Sequence, residues 1–166
     1  MSVIITSLHR FEADFKLHNP DSVISIVNPE MEHPVVNNNV PTLKMKFHDI
    51  CFEIHNNDKY TLPSIEDVDE IFHFGAVKYK KDTRLLVHCF AGISRSSAAA
   101  IIALCPHYGY KDAVKMVAEV DVYMSKGLYE KGSSWFMPNN LMIKYADKRL
   151  CLDGDLIKLV NEVFSY

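Results

Sequence analysis

Little in this sequence marks it for a specialised environment. Its four cysteines, Cys51, Cys89, Cys105 and Cys151, are scattered and form no C-x-x-C pair. That excludes a dense disulfide scaffold and the usual zinc knuckles. Long apolar runs are missing: the longest, Ala98 to Cys105, falls far short of the ~20 residues a membrane-spanning helix requires. There is no excess of positive charge either, since 18 Lys and Arg stand against 21 Asp and Glu for a net −3. A broadly basic nucleic-acid surface is excluded, although a small cationic pocket is not. The opening MSVIITSLHRF has no basic leader and no small-residue cleavage site, so the expected setting is cytoplasmic, with reduced thiols. Neither G-x-x-x-x-G-K nor H-E-x-x-H occurs, and no cofactor, metal, nucleic acid or membrane is expected as a partner.

What is present is an ordinary globular composition. The 166 residues are 48% apolar and 23% charged, suited to one domain spanning 1–166 with a real core. Short β-branched runs at Ser2–Thr6, Ser22–Val27, Leu43–Phe47 and Leu85–Val87 read as buried strands. Between the third and fourth, Pro63, Ser64 and Asp67 form a helix start, followed by an apolar face of Ile65, Val68, Ile71, Phe72 and Val77. Ser94–Leu104 is small and apolar nearly all round, which predicts a buried helix ending at Pro106. Lys111–Met124, Asn140–Leu150 and Asp155–Phe164 are further predicted helices, and Asn28–Pro41 a long surface loop. Strands interleaved with helices predict an α/β fold with a central, mostly parallel sheet of four to five strands flanked by helices.

One segment carries chemistry. The strand RLLVHCF runs directly into AGISRSSAAA, so Cys89 leaves the carboxyl end of a buried strand and Arg95 enters the first turn of a buried helix. Ligands of open α/β sheets bind in that crevice. The residues between, Phe90, Ala91, Gly92, Ile93 and Ser94, are enough for a tight loop whose N–H groups turn inward to hold a tetrahedral dianion. Gly92 supplies conformations closed to other residues, and the planar fork of Arg95 grips two oxygens at once. A thiolate facing a bound phosphate is placed for phosphoryl transfer.

His88 to Ser96, H-C-F-A-G-I-S-R-S, resembles the H-C-x5-R-[ST] signature of the cysteine-dependent protein tyrosine phosphatase superfamily. His88, Cys89, Gly92, Arg95 and Ser96 would all fall in place by chance in about one chain in ten thousand or fewer at ordinary residue frequencies. The resemblance, to the compact dual-specificity-like or bacterial type, extends over about residues 40–150. It implies the phosphatase fold, Cys89 as nucleophile, residues 90–95 as the phosphate-binding loop (P-loop), and Ser96 as the hydroxyl that stabilises the departing thiolate. It implies Asp49, forty residues upstream of Cys89, as general acid and then base, with Asp58 the rival acid. His88 would order the loop, and Asn139, in PNNLMIKYADKRL, would brace the site or simply cap its helix. The chain is shorter than the classical tyrosine-specific domains and lacks their phosphotyrosine-clamping loop. In the low-molecular-weight enzymes the cysteine is near the N-terminus, not mid-chain.

The implied activity is hydrolysis of phosphotyrosine, with phosphoserine and phosphothreonine open, on a phosphorylated protein or small aryl phosphate. A monomer is the expected state. Phosphoinositide enzymes of the superfamily add lysines to this loop, whereas here its intervening residues are uncharged. A phosphoinositide or small phospho-metabolite phosphatase is the alternative, beside a non-catalytic phosphate binder and a rhodanese-like sulfurtransferase. Cys105 and Cys151 read as packing residues, His48 and His55 as loop residues without metal-ligand spacing. Cys51 is a candidate for a protective disulfide with Cys89.

Overall fold

Runs that are apolar on both faces form strands that must be covered on both sides, and parallel sheets provide that. In the computed structural model, which describes residues 2–54, 58–123 and 129–164, β1 (Ser2–Ser7), β2 (Ser22–Val27), β3 (Thr42–Lys46) and β4 (Arg84–Cys89) make one sheet. Its order is β1-β4-β2-β3 and every pairing is parallel. β4 is therefore central, and its last residue, Cys89, lies opposite Ser7 of β1. His88 lies opposite Ser25 of β2.

Period-two alternation sends neighbouring residues of β4 to opposite layers. Leu85, Val87 and Cys89 enter the large core under α2 (Ile65–Lys78), α3 (Arg95–Ala118), α5 (Asn140–Arg149) and α6 (Asp155–Phe164). Leu86 joins Ile4, Val23 and Phe11 in a smaller core beneath α1 (Phe11–His18), where the Phe11 ring also meets His88 edge-on at 4.7 Å. The α2 start is a complete capping box: Ser64 Oγ accepts from the Asp67 N–H at 3.1 Å and Asp67 Oδ2 accepts from the Ser64 N–H at 2.8 Å. α1 went unrecognised in the sequence because only Phe11 and Asp14 are buried along it, too few for an amphipathic stripe.

Three expectations need correction. The helix after the loop does not end at Pro106; it continues to Ala118 and breaks instead at Gly109, whose φ is 73°. Proline in a helix interior removes one hydrogen bond at a cost of ~3 kcal/mol. The continuous burial of Ala98–Cys105 before it holds the axis regardless. The helix predicted over Lys111–Met124 stops at Ala118, after which Asp121–Tyr123 (β5) pairs antiparallel with Tyr129–Lys131 (β6). Met124, like His55, lies outside the described residues. Cys151 is exposed rather than packed, with φ 53° in the turn before α6. A one-turn helix, α4 (Gly132–Trp135), joins β6 to α5. Among the described residues no helix is long and apolar enough to cross a membrane.

Candidate active site

The strand-to-helix loop at the carboxyl edge of β4 turns back on its own thiol. Cys89 is 1% exposed, its sulfur receives the Gly92 N–H at 3.3 Å, and it lies 3.2 Å from Ser96 Oγ. Gly92 makes this turn possible. Its φ is +74°, and a Cβ there would come within 2.7 Å of Ser7 N and Thr6 C. Gly92→Ala therefore costs left-handed strain of ~1–2 kcal/mol and also pushes the loop off β1. Inorganic phosphate binding, measured by calorimetry, should weaken by about tenfold or more; unchanged affinity would mean the loop does not form the cradle.

Arg95 is 3% exposed. Its Nη1 donates to Asn28 Oδ1 at 2.8 Å and to the Phe47 carbonyl at 2.7 Å. These acceptors follow the ends of β2 and β3, so the sheet itself orients the guanidinium. Nε is buried without a hydrogen-bond partner. Its nearest anion is Asp49 Oδ2, at 3.9 Å. Leaving a charged donor unpaired in the interior is costly, and an oxyanion seated in the loop would satisfy it.

Asp49 arrives from the loop after β3. Its Oδ1 accepts from Ser94 Oγ at 2.7 Å and from Asn139 Nδ2 at 2.8 Å, which aims the carboxylate over the cradle. Asp58 is exposed, so Asp49 is the acid that the structure brings beside Arg95. Asn139 both caps its helix and reaches the Asp49 loop. Its Oδ1 caps α5 through the Met142 N–H at 3.1 Å, and its Nδ2 also reaches the Ile50 carbonyl at 3.1 Å. Sequence reasoning missed Asn28 and the Phe47 carbonyl as holders of Arg95, and Ser94 as a holder of Asp49. Asn28 could have been found, because it is a polar residue directly after a buried strand at the ligand-binding edge.

Cys51 and Cys89 are both free thiols. Desolvation, followed by the Asp49 carboxylate, pushes the Cys51 thiol up. Burial pushes Cys105 up to about 12, consistent with packing. His48 is occupied in its loop, with Nδ1 accepting from the Thr61 N–H at 3.0 Å and Nε2 3.4 Å from Glu30. Among the described residues, no three His, Cys, Asp or Glu side chains are grouped to hold a metal.

His88, directly before the thiol, is fully buried, with Nε2 2.7 Å from Ser25 Oγ. Burial, above all, pushes its pKa from the ordinary 6.5 down to about 4, so it is neutral at physiological pH. Between those two values the unfolded chain binds the extra proton, and stability falls as pH drops through that window. The loss amounts to up to ~3 kcal/mol at its acid end. Thermal melts between pH 7 and 4 should show a shallower slope for His88→Asn than for wild type; equal slopes would assign the acid sensitivity elsewhere.

No protein-family model matches the chain, and no curated protein matches it by sequence. Solved structures do match in shape. Human DUSP28 is 16% identical, with 92% of this chain and 94% of that chain covered at a TM-score of 0.61. A human tyrosine phosphatase-like serine/threonine/tyrosine-interacting protein is 18% identical, with 92% and 93% covered at 0.58. DUSP15 is 14% identical, with 98% and 90% covered at 0.57. The chain shares the fold of these solved dual-specificity-type phosphatase structures.

Proposed function

We propose that this protein is a phosphoric monoester hydrolase working through a phosphocysteine on Cys89, with phosphotyrosine as its favoured substrate class. The observation that carries the reading is the buried Nε of Arg95, which has no hydrogen-bond partner and lies 3.9 Å from Asp49 at the end of the loop that begins at Cys89. A buried guanidinium N–H with no hydrogen-bond partner at a strand-to-helix loop is suited to receive an oxyanion.

The reaction runs in two displacements. The Cys89 thiolate attacks phosphorus, and an S–P bond forms as the ester P–O bond breaks. Protonated Asp49 gives its proton to the leaving oxygen, releasing the alcohol or phenol. Arg95 and the N–H groups of residues 90–95 hold the equatorial oxygens throughout. Asp49, now a carboxylate, takes a proton from water as that water attacks phosphorus. The S–P bond breaks, phosphate leaves, and the Ser96 hydroxyl supports the restored thiolate. Asn139 and Ser94 hold Asp49 in both steps, and His88 holds the loop from below.

Two features support a single phosphate on an aryl or peptide group. The five residues between Cys89 and Arg95 are uncharged, so a second phosphate would enter without a counter-charge. Around the loop, Phe90 is 57% and Met137 55% exposed. The Met137 N–H donates to the Ile93 carbonyl at 3.3 Å. These are apolar surfaces for a ring to rest on. The expected setting is a soluble protein acting in the cytoplasm as a monomer.

Initial rates of phosphate release should be compared across matched phosphotyrosine and phosphoserine peptides, phosphoinositides and inositol polyphosphates. Phosphotyrosine should lead in kcat/KM, with the rate unchanged by a chelator. A lead of about tenfold or more for multiply phosphorylated inositides would overturn the charge argument and favour a lipid or phospho-metabolite substrate.

A further inference from the structure

Beneath the cradle a chain of side chains runs from the nucleophile's neighbour to the surface. His88 Nε2 is 2.7 Å from Ser25 Oγ, and Ser25 Oγ is 2.7 Å from Nδ1 of His33. Ser25 and His88 are both 0% exposed, whereas His33 is partly exposed in the 28–41 loop. Cross-strand register puts Ser25 against His88, and Phe11 closes the other side of the His88 ring. Nothing in the two-step reaction described above uses His33 or Ser25.

We propose that His33 is a positioning residue for Cys89: through the Ser25 hydroxyl it decides which nitrogen of His88 carries the proton. The inference rests on Cys89 being the reacting thiol of the proposed phosphatase. A hydroxyl has one proton to donate. If Ser25 donates to His33, His88 must donate from Nε2, leaving a bare lone pair on Nδ1. If His33 donates to Ser25, Ser25 donates to His88 Nε2, and the His88 proton moves to Nδ1. That nitrogen is buried without a side-chain partner, next to the Cys89 backbone. A proton there puts positive charge density at the base of the cradle and favours the thiolate.

The charged surroundings keep His33 responsive. Its own desolvation, and then Lys44 and Lys46 of β3, oppose its protonation, while Glu32 of its loop favours it. Lys46 in turn is 3.6 Å from Glu32. On His88 the facing charges are His33 and Arg95, both opposing a second proton. Protonated His33 is a donor at both nitrogens, so it permits only the arrangement with Nδ1–H on His88.

Two measurements test this. In protein labelled with ¹⁵N-histidine, at a pH where His33 is protonated, His88 should be the neutral Nδ1–H tautomer. An Nε2–H tautomer there overturns the proposal. Second, the rate of Cys89 alkylation by iodoacetamide, followed on the Cys89 peptide by mass spectrometry, should be mapped against pH. His33→Ala should slow it by about threefold on the acid side of the profile, and His33→Asn, which restores a hydrogen-bonding atom near Nδ1, should recover most of that loss. Superimposable profiles for wild type and His33→Ala overturn the positioning role. Alkylation reads the thiol itself, so a moved profile without any ester hydrolysis would sink the phosphatase reading alone. Hydrolysis with an unmoved profile would sink the relay alone.

Discussion

Cys89→Ser should lose phosphate release by about 10⁵-fold or more, since a nucleophile that acts with its partners takes nearly the whole acceleration with it. Phosphate-ester binding should survive. The N–H groups of the loop and the Arg95 guanidinium do not depend on sulfur, and a serine oxygen fits the space between the Gly92 N–H and Ser96 Oγ. Arg95→Lys should fail differently, losing both affinity and rate. An ammonium cannot hold the Phe47 carbonyl and Asn28 Oδ1 at one end while presenting a planar fork at the other. A loss of about 10²–10³ in kcat is expected, the magnitude seen when one oxyanion donor is removed. Steady-state rates with phosphate binding measured in parallel separate the two. Near-normal turnover by Cys89→Ser would end the thiol mechanism.

Asp49→Asn carries the second large effect, and its size should depend on the leaving group. The carboxamide oxygen can still accept from Ser94 and Asn139, as Asp49 Oδ1 does now, so the loop should keep its place. Only the proton is lost. With phenyl phosphates of poor leaving ability the rate should drop by about 10²–10⁴-fold. With a nitrophenyl ester the first step should be affected far less, because that leaving group needs little protonation. The pH profile should be bell-shaped in wild type, with Cys89 ionised and Asp49 protonated, and should lose the Asp49 limb in the variant. An equal loss with all leaving groups, or a loss that follows Asp58 instead, would move the acid elsewhere.

The strands, the capping box at Ser64 and the thiol–arginine loop were legible because each is local. A β-branched run, a Ser-x-x-Asp start and a strand feeding a buried helix are signals contained within about ten residues. The Asp49 position was legible only through resemblance, since nothing local distinguishes a catalytic aspartate from a turn residue. The partners of Arg95 were not legible at all. Asn28 and Phe47 meet it across 67 and 48 residues of sequence, through a parallel sheet whose strand order no local pattern gives. The chain through Pro106 went the other way, because local propensity was overruled by burial of the residues preceding it. The relay from His33 was hidden for the same reason as Asn28. Ser25 looks like one more strand residue until β4 is laid beside β2.

The central claim is that phosphorus passes through the Cys89 sulfur, and trapping that bond tests it most directly. Asp49→Asn should slow breakdown of the intermediate, which needs a base, more than its formation from a nitrophenyl ester, which needs little acid. Acid-quenched Asp49→Asn protein taken during turnover should therefore carry one phosphoryl group, found by mass spectrometry on the peptide containing Cys89, and Cys89→Ser should carry none there. A phosphoryl group on another residue, or none on Cys89 while the ester is being hydrolysed, would contradict the account.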